Sequence, residues 1–294
     1  MKLALAFVAA LVASPALAAE IDAVASFSIL GDMVSRVGGD RVAVTTIVGP
    51  NADSHVYSPK PSDAAAVAGA DIFFVNGLGF EGWMDRFVEA TGYQGPLVVV
   101  SEGVASHESE DHDDHDHDGT DPHAWQSLTN GVLYVQNIAK GLCAVDAGGC
   151  AAYTANAEAF VAELTALDAS VREQLAAVPA DRRKVITTHD AFGYFGDAYG
   201  VTFLAPEGIS TDAEPSAAAV ARLIVQIKSE GVRAVFIENM SDPRLIQQIA
   251  TETGATLGGE LYADALSGSD GPAATYLDMF RHNVGLLIPA MEGN

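Results

Sequence analysis

Positive charge is scarce in this chain. Its 294 residues carry 15 Lys and Arg against 39 Asp and Glu, a formal net charge of −24. Gripping a phosphate backbone needs clustered cations, and here the few cations are scattered among acids, which argues against nucleic acid as a partner. An acidic surface instead keeps an exported protein dispersed and attracts cations. Long hydrophobic runs are missing too: no stretch reaches the roughly 20 apolar residues a transmembrane helix needs. Neither an H-E-x-x-H pair nor a G-x-S-x-G elbow is present, so two common hydrolase signatures are absent. Cysteine is almost lacking. The two that occur, Cys143 and Cys150 in GLCAVDAGGC, are too few to make a metal site alone, and in an oxidising compartment they read as a local disulfide.

The chain opens MKLALAFVAALVASPALAAE. One lysine, a short apolar run, a proline and then Ala16, Leu17 and Ala18 in small-x-small order make residues 1–18 a secretory signal peptide, with cleavage expected after Ala18. Neither cysteine follows that signal, so a lipid anchor on a processed N-terminal cysteine is not expected. The mature protein is expected to be exported, soluble and periplasmic, and one unit more acidic for the loss of Lys2.

From Ile21 onward, short apolar runs such as IDAVASFSI, RVAVTTIVG and DIFFVNG alternate with helical stretches such as PSDAAAVAGA and GWMDRFVEATG. Strands that are continuously apolar, rather than strictly alternating, suit a parallel sheet covered on both faces. The same logic applies again from about residue 180, with KVITTHD, VTFLAPEG, RAVFIENM and ATLGGELYAD separated by helical segments, the last running from Pro272 to about Ala290. The fold class expected is therefore α/β, with two lobes, each a parallel β-sheet flanked by helices. Residues 19–145 form the first and 180–294 the second. Between them, residues 152–179 are rich in alanine and leucine and lack internal glycine, which predicts one long helix joining the lobes and stiffening them against hinge motion.

Residues 106–118, SHESEDHDDHDHD, differ from everything around them. Four are His, seven are Asp or Glu and two are Ser. Such a segment has nothing to bury and cannot offset its own ordering entropy, so it reads as a disordered acidic loop in which His107, His112, His115 and His117 make weak, shifting contacts with metal.

Four histidines remain. His282, in DMFRHNVG, falls inside the last predicted helix and reads as a partly exposed helical histidine. His55 in NADSHVYSP, His123 in GTDPHAW and His189 in ITTHDAFGYF follow apolar strands or lie in loops, where open α/β sheets place ligand residues. Taken singly, His55 reads equally as a turn residue and His189 as a helix N-terminal one. Together they supply three imidazoles, the commonest nitrogen ligands of zinc. Asp264, directly after a strand in LYADALS, is either a carboxylate ligand or a helix N-cap. Glu207 in APEG and Glu238 in FIENM sit at strand ends. They could act as a general base in a zinc hydrolase, but are more simply carboxylates in loops or behind the ligands.

The motifs DSHVYSP, DPHAW, THDAFGYF and LYADALS, in this order, resemble the metal-binding solute-binding proteins of ABC transporters, the cluster A-I family that takes up zinc or manganese. The resemblance covers essentially the whole mature chain, including the linking helix and the histidine-rich loop. It implies that His55 and His123 from one lobe and His189 and Asp264 from the other hold one metal ion. Ser54 stands where the family usually has proline, so the local turn is expected to differ while His55 still points inward. Manganese binders of this kind carry glutamate at the third position. His189 there leaves three imidazoles and one carboxylate, which favour Zn(II). The expected function is zinc capture in the periplasm and delivery to a membrane permease with its ATPase. A monomer is expected, with a periplasmic zinc metallochaperone as a candidate donor. A manganese-type binding protein, a zinc-dependent adhesin and a hydrolase are the alternatives.

Overall fold

The computed structural model describes residues 21–107 and 120–293. The signal segment 1–18 and the loop histidines His112, His115 and His117 lie outside the described residues. The first half is a four-stranded parallel sheet in the order β2-β1-β3-β4, from β1 (Ile21–Phe27), β2 (Val42–Val48), β3 (Ile72–Val75) and β4 (Leu97–Val99). All four residues of β3 are buried, as a strand covered on both faces must be. Helix α1 (Ser28–Gly38) follows β1 without a linker, so Ile29, expected at the end of the first strand, instead begins a buried face with Leu30, Met33, Val34 and Val37. Gly31 lets that helix lie close on the sheet: a Cβ there would fall 2.3 Å from the Thr46 hydroxyl of β2. Helices α2 (Pro61–Ala68), α3 (Met84–Thr91) and α4 (Leu128–Val145) complete this half.

A 28-residue helix, α5 (Cys150–Ala177), follows, about 42 Å long at 1.5 Å per residue. Its buried residues Tyr153, Ala157, Phe160, Leu164, Val171 and Leu175 recur at helical spacing and form one stripe. The second half repeats the first as a parallel sheet in the order β6-β5-β7-β8, from β5 (Lys184–Ile186), β6 (Thr202–Leu204), β7 (Ala234–Glu238) and β8 (Thr256–Leu261), with α6 (Gly193–Tyr199), α7 (Ala217–Glu230), α8 (Arg244–Thr253) and α9 (Tyr276–Glu292) around it. Helix α9 starts later than its apolar pattern suggests because Thr275 caps it, its hydroxyl accepting from the Asp278 amide at 3.1 Å. Among the described residues, no helix is long and apolar enough to cross a membrane.

One continuous core joins the halves. It includes Phe27, Phe74 and Trp125 from the first half, Phe160 and Leu164 of α5, and Phe192, Phe195, Tyr276 and Phe280 from the second. A smaller cluster under α7 and α8 holds Ile186, Leu223, Ile227, Val235, Ile246 and Ile249. Because the main core crosses from one sheet to the other, relative motion of the sheets would expose apolar surface. That cost stiffens the molecule.

Cys143 and Cys150 are bonded, tying the end of α4 to the start of α5. Replacing both with serine is expected to cost about 2 kcal/mol through the freed denatured chain. The melting temperature should fall by about 5 °C; an unchanged melting curve would show that the bridge contributes nothing.

Candidate metal centre

Four loops at the carboxyl ends of the strands converge between the sheets. His55 follows β2, His123 follows β4 after the long acidic segment, His189 follows β5 and Asp264 follows β8. One ligand atom from each lies within 4.8 Å of all the others. The Nε2 atoms of His55 and His123 are 3.3 Å apart. Asp264 Oδ2 lies 3.3 Å from His55 Nε2 and 3.1 Å from His189 Nε2, and its Oδ1 lies 3.5 Å from His123 Nε2. The three rings are nearly equidistant, with centroids 5.2, 5.4 and 5.7 Å apart. For a tetrahedron with metal–nitrogen bonds of about 2.0–2.1 Å, ligand atoms should be separated by about 3.3–3.4 Å. These four spacings bracket that value, within a group bounded by 4.8 Å.

The donors are aimed by partners behind them. The His123 ring places Nδ1 2.7 Å from Asp121 Oδ1, which also accepts the His123 amide at 2.9 Å. His189 Nδ1 lies 2.5 Å from Glu238 Oε2, while Glu238 Oε1 accepts the amides of Thr188 and His189 at 2.8 and 3.1 Å. With Nδ1 turned to a carboxylate, each ring leaves Nε2 to face the cluster, the usual arrangement of a metal-bound histidine. The His55 ring stands edge-on to Phe80 at 4.8 Å, and Phe80 in turn packs against Trp125 at 4.7 Å. Trp83 donates to the Ser54 carbonyl at 2.9 Å, and this contact holds the turn that precedes His55. His55 points inward, as the resemblance implies.

Asp264 is not a helix cap. No helix follows it until α9, and the strand end that carries it is clamped from several sides. The Ala263 carbonyl accepts from Trp125 Nε1 at 2.9 Å and Gln126 Nε2 at 2.8 Å, and the Leu266 amide donates to Ser28 Oγ at 2.9 Å. Asn283 of α9 pairs with both the amide and the carbonyl of Tyr262. Asn283 and Gln126 were not singled out by sequence reasoning, because a buried amide inside a helix carries no local signal.

Buried polar atoms normally find partners. Here both Asp264 oxygens and His189 Nε2 are buried without a hydrogen bond. A cation fits these atoms and satisfies all of them at once. Burial alone would oppose charge on either group, but attraction to Glu238 and Asp264 outweighs it and holds His189 well above the ordinary histidine range. By the same balance, burial is overcome for Asp264 by His189 and His123, which hold it well below the usual carboxylate range. Without metal, a proton on His189 therefore stands in for the cation. Metal must displace it.

The remaining candidates fall elsewhere. His107, expected to move with the acidic loop, is fixed at its base: its amide donates to the Tyr194 hydroxyl at 3.1 Å, its carbonyl accepts the Asp121 amide at 2.9 Å, and its Nδ1 lies 2.9 Å from Asp197 Oδ2. Glu207 forms an isolated backbone bridge with His189 and is not one of the converging ligands. His282 lies on α9 with Nε2 2.9 Å from the Glu260 carbonyl.

Paired parallel sheets, a long joining helix and a buried cluster of three imidazoles and a carboxylate define a metal-binding substrate-binding protein. The chain belongs to the family described as zinc-uptake complex component A, periplasmic, which matches residues 23–290. It is 35% identical over 269 residues to the manganese-binding lipoprotein MntA of Halalkalibacterium halodurans, covering 92% of this chain and 88% of that protein. It is 32% identical over 261 residues to the iron-binding protein YfeA of Yersinia pestis, covering 89% and 83%. Among solved structures it is similar to the periplasmic zinc binding protein TroA from Treponema pallidum, with a TM-score of 0.86 at 27% identity over 92% of this chain and 99% of that one. The Mn-bound periplasmic metal binding protein from Candidatus Liberibacter asiaticus matches at a TM-score of 0.82 and 30% identity, with the same coverage. Such proteins are the substrate-binding components of ABC transporters and not enzymes, which removes the hydrolase alternative. A membrane permease and its ATPase are the partners this implies.

Glu238→Gln tests the balance of charges. Losing the carboxylate behind His189 is expected to weaken metal binding by about 10- to 100-fold. The variant should also release fewer protons per metal bound at neutral pH, because His189 then holds its proton less firmly. In the wild type, affinity should fall as pH falls, as protons compete for the same nitrogen. Calorimetry in buffers of different ionisation enthalpy reads both quantities, and equal proton release by the two proteins would contradict the assignment.

Proposed function

We propose that the protein captures Zn(II) in the periplasm with His55, His123, His189 and Asp264 and delivers it to the permease. The donor chemistry carries this reading. Three neutral imidazoles and one carboxylate suit a borderline ion in a tetrahedral site better than a hard, oxygen-seeking one. As the ion is cargo, the site must bind it tightly yet release it to the permease. With a core shared between the sheets, loaded and empty forms differ by loop ordering and small shifts, and it is these that the permease reads.

Around this centre, His112, His115 and His117 in the acidic loop add weak sites that raise the local zinc concentration. His107 is pinned at the loop base and is less available for that task. The protein acts as a monomer, and a periplasmic zinc metallochaperone could load it by the same loop.

Manganese is the second reading. Both Asp264 oxygens face the cluster, so a bidentate carboxylate would give five donors, closer to what a harder ion takes. Relatives named for manganese binding support it as well.

Competition titration of zinc against manganese on the wild type and on His189→Glu separates the two. The zinc reading expects zinc to displace manganese at equal concentration from the wild type, with the preference narrowed in His189→Glu. One tight zinc site should appear together with a weaker class from the loop. A wild type that keeps manganese in the presence of equimolar zinc would make this a manganese-binding protein.

A further inference from the structure

The segment that carries His55 is built unlike the other three. His123, His189 and Asp264 are fully enclosed, whereas His55 keeps 4% of its side chain exposed and sits in an irregular stretch between β2 and α2. Two of the enclosed ligands have a carboxylate behind the ring, and the third lies on a clamped strand end. The His55 stretch is held from its own half by Trp83 on the Ser54 carbonyl and otherwise by hydrogen bonds to the opposite half of the molecule. The Asn51 amide donates to the Leu266 carbonyl at 3.0 Å, and Asn239 Nδ2 donates to Asn51 Oδ1 at 3.0 Å.

Asp53 makes the third of these attachments and is the one nearest the ligand. Its Oδ1 accepts the His55 amide at 2.9 Å, and its Oδ2 accepts the Thr211 hydroxyl at 2.7 Å. Thr211 belongs to the loop after β6, and earlier residues of that loop run beside His189: the Glu207 amide donates to the Thr188 carbonyl at 3.3 Å and the Asp190 amide to the Gly208 carbonyl at 3.1 Å. One carboxylate therefore ties the backbone of His55 to the loop that flanks His189.

We infer that the Thr211–Asp53 hydrogen bond is a latch that holds the His55 loop closed over bound metal and sets the rate at which the metal leaves. Thr211 is a positioning residue and touches no metal. The inference rests on the metal-capture reading above. A hydroxyl donating to an ionised carboxylate makes a strong hydrogen bond, and both partners are half-buried, which limits competition from water. With His123, His189 and Asp264 aimed by their own supports, His55 is the ligand that the latch restrains. Departure of the metal requires breaking the latch. Its loss therefore falls on dissociation and not on association, the usual division among related complexes.

The test is stopped-flow zinc release into excess chelator, together with the association rate, for the wild type, Thr211→Val and Thr211→Ser. Thr211→Val should release zinc about tenfold faster at an unchanged association rate, and Thr211→Ser, which restores the hydroxyl, should stay within about twofold of the wild type. The melting temperature of the metal-free protein should be the same in all three, which separates a latch from general cement between the halves. Thr211→Val with wild-type release, or Thr211→Ser no slower than Thr211→Val, would overturn the latch. A wild type that takes up no zinc overturns the zinc assignment instead, and the same comparison with manganese then decides the latch.

Discussion

Asp264 is the point on which the structure turns. A carboxylate with no exposed surface is ordinarily too costly to keep. It persists because three imidazoles surround it, with ring nitrogens facing both of its oxygens, and because the cluster can trade a proton for a metal ion without leaving a charge unpaired. Metal capture and the stability of this part of the fold are thus one electrostatic problem. The groups that stabilise the charge in the empty protein are those that hold the cargo in the full one.

Keeping such a cluster assembled requires a framework that does not yield. The main core passes from one sheet through α5 into the other, and the strand end bearing Asp264 is bonded to Trp125, Gln126, Ser28 and Asn283. The Tyr276 hydroxyl, from the start of α9, donates to the Trp125 carbonyl beside the His123 loop. Asp264 therefore belongs to the second sheet by sequence but is anchored to the first half by hydrogen bonds. Freedom to exchange metal is left to the loop around His55, which is tied to the opposite half through Asn51 and Asp53. A stiff body with one yielding ligand loop meets the opposed demands of tight capture and eventual release.

Much of this was legible in the chain. Continuous apolar runs such as DIFFVNG marked parallel strands, because burial on both faces leaves no room for alternation. The glycine-free stretch before Arg182 marked the long helix. His55, His123, His189 and Asp264 stood out because each follows a strand or lies in a loop, and the family resemblance gathered them into one set. What stayed hidden depended on pairing across distance. Nothing local told Glu238 from Glu207, although one supports the His189 ring and the other only runs beside its backbone. His107 looked like its acidic neighbours, yet Tyr194 and Asp197, far along the sequence, fix it. Thr211 lies 158 residues from Asp53, and only the folded chain brings them together.

The central claim is that three imidazoles and the Asp264 carboxylate, drawn from both halves, form the shell around the captured ion. X-ray absorption at the zinc edge of protein loaded with one equivalent tests it most directly. The account predicts three histidine nitrogens and one carboxylate at about 2.0–2.1 Å, with one imidazole lost from the shell in each of His55→Ala, His123→Ala and His189→Ala. A shell unchanged by those substitutions, or one made chiefly of water and loop carboxylates, would contradict it.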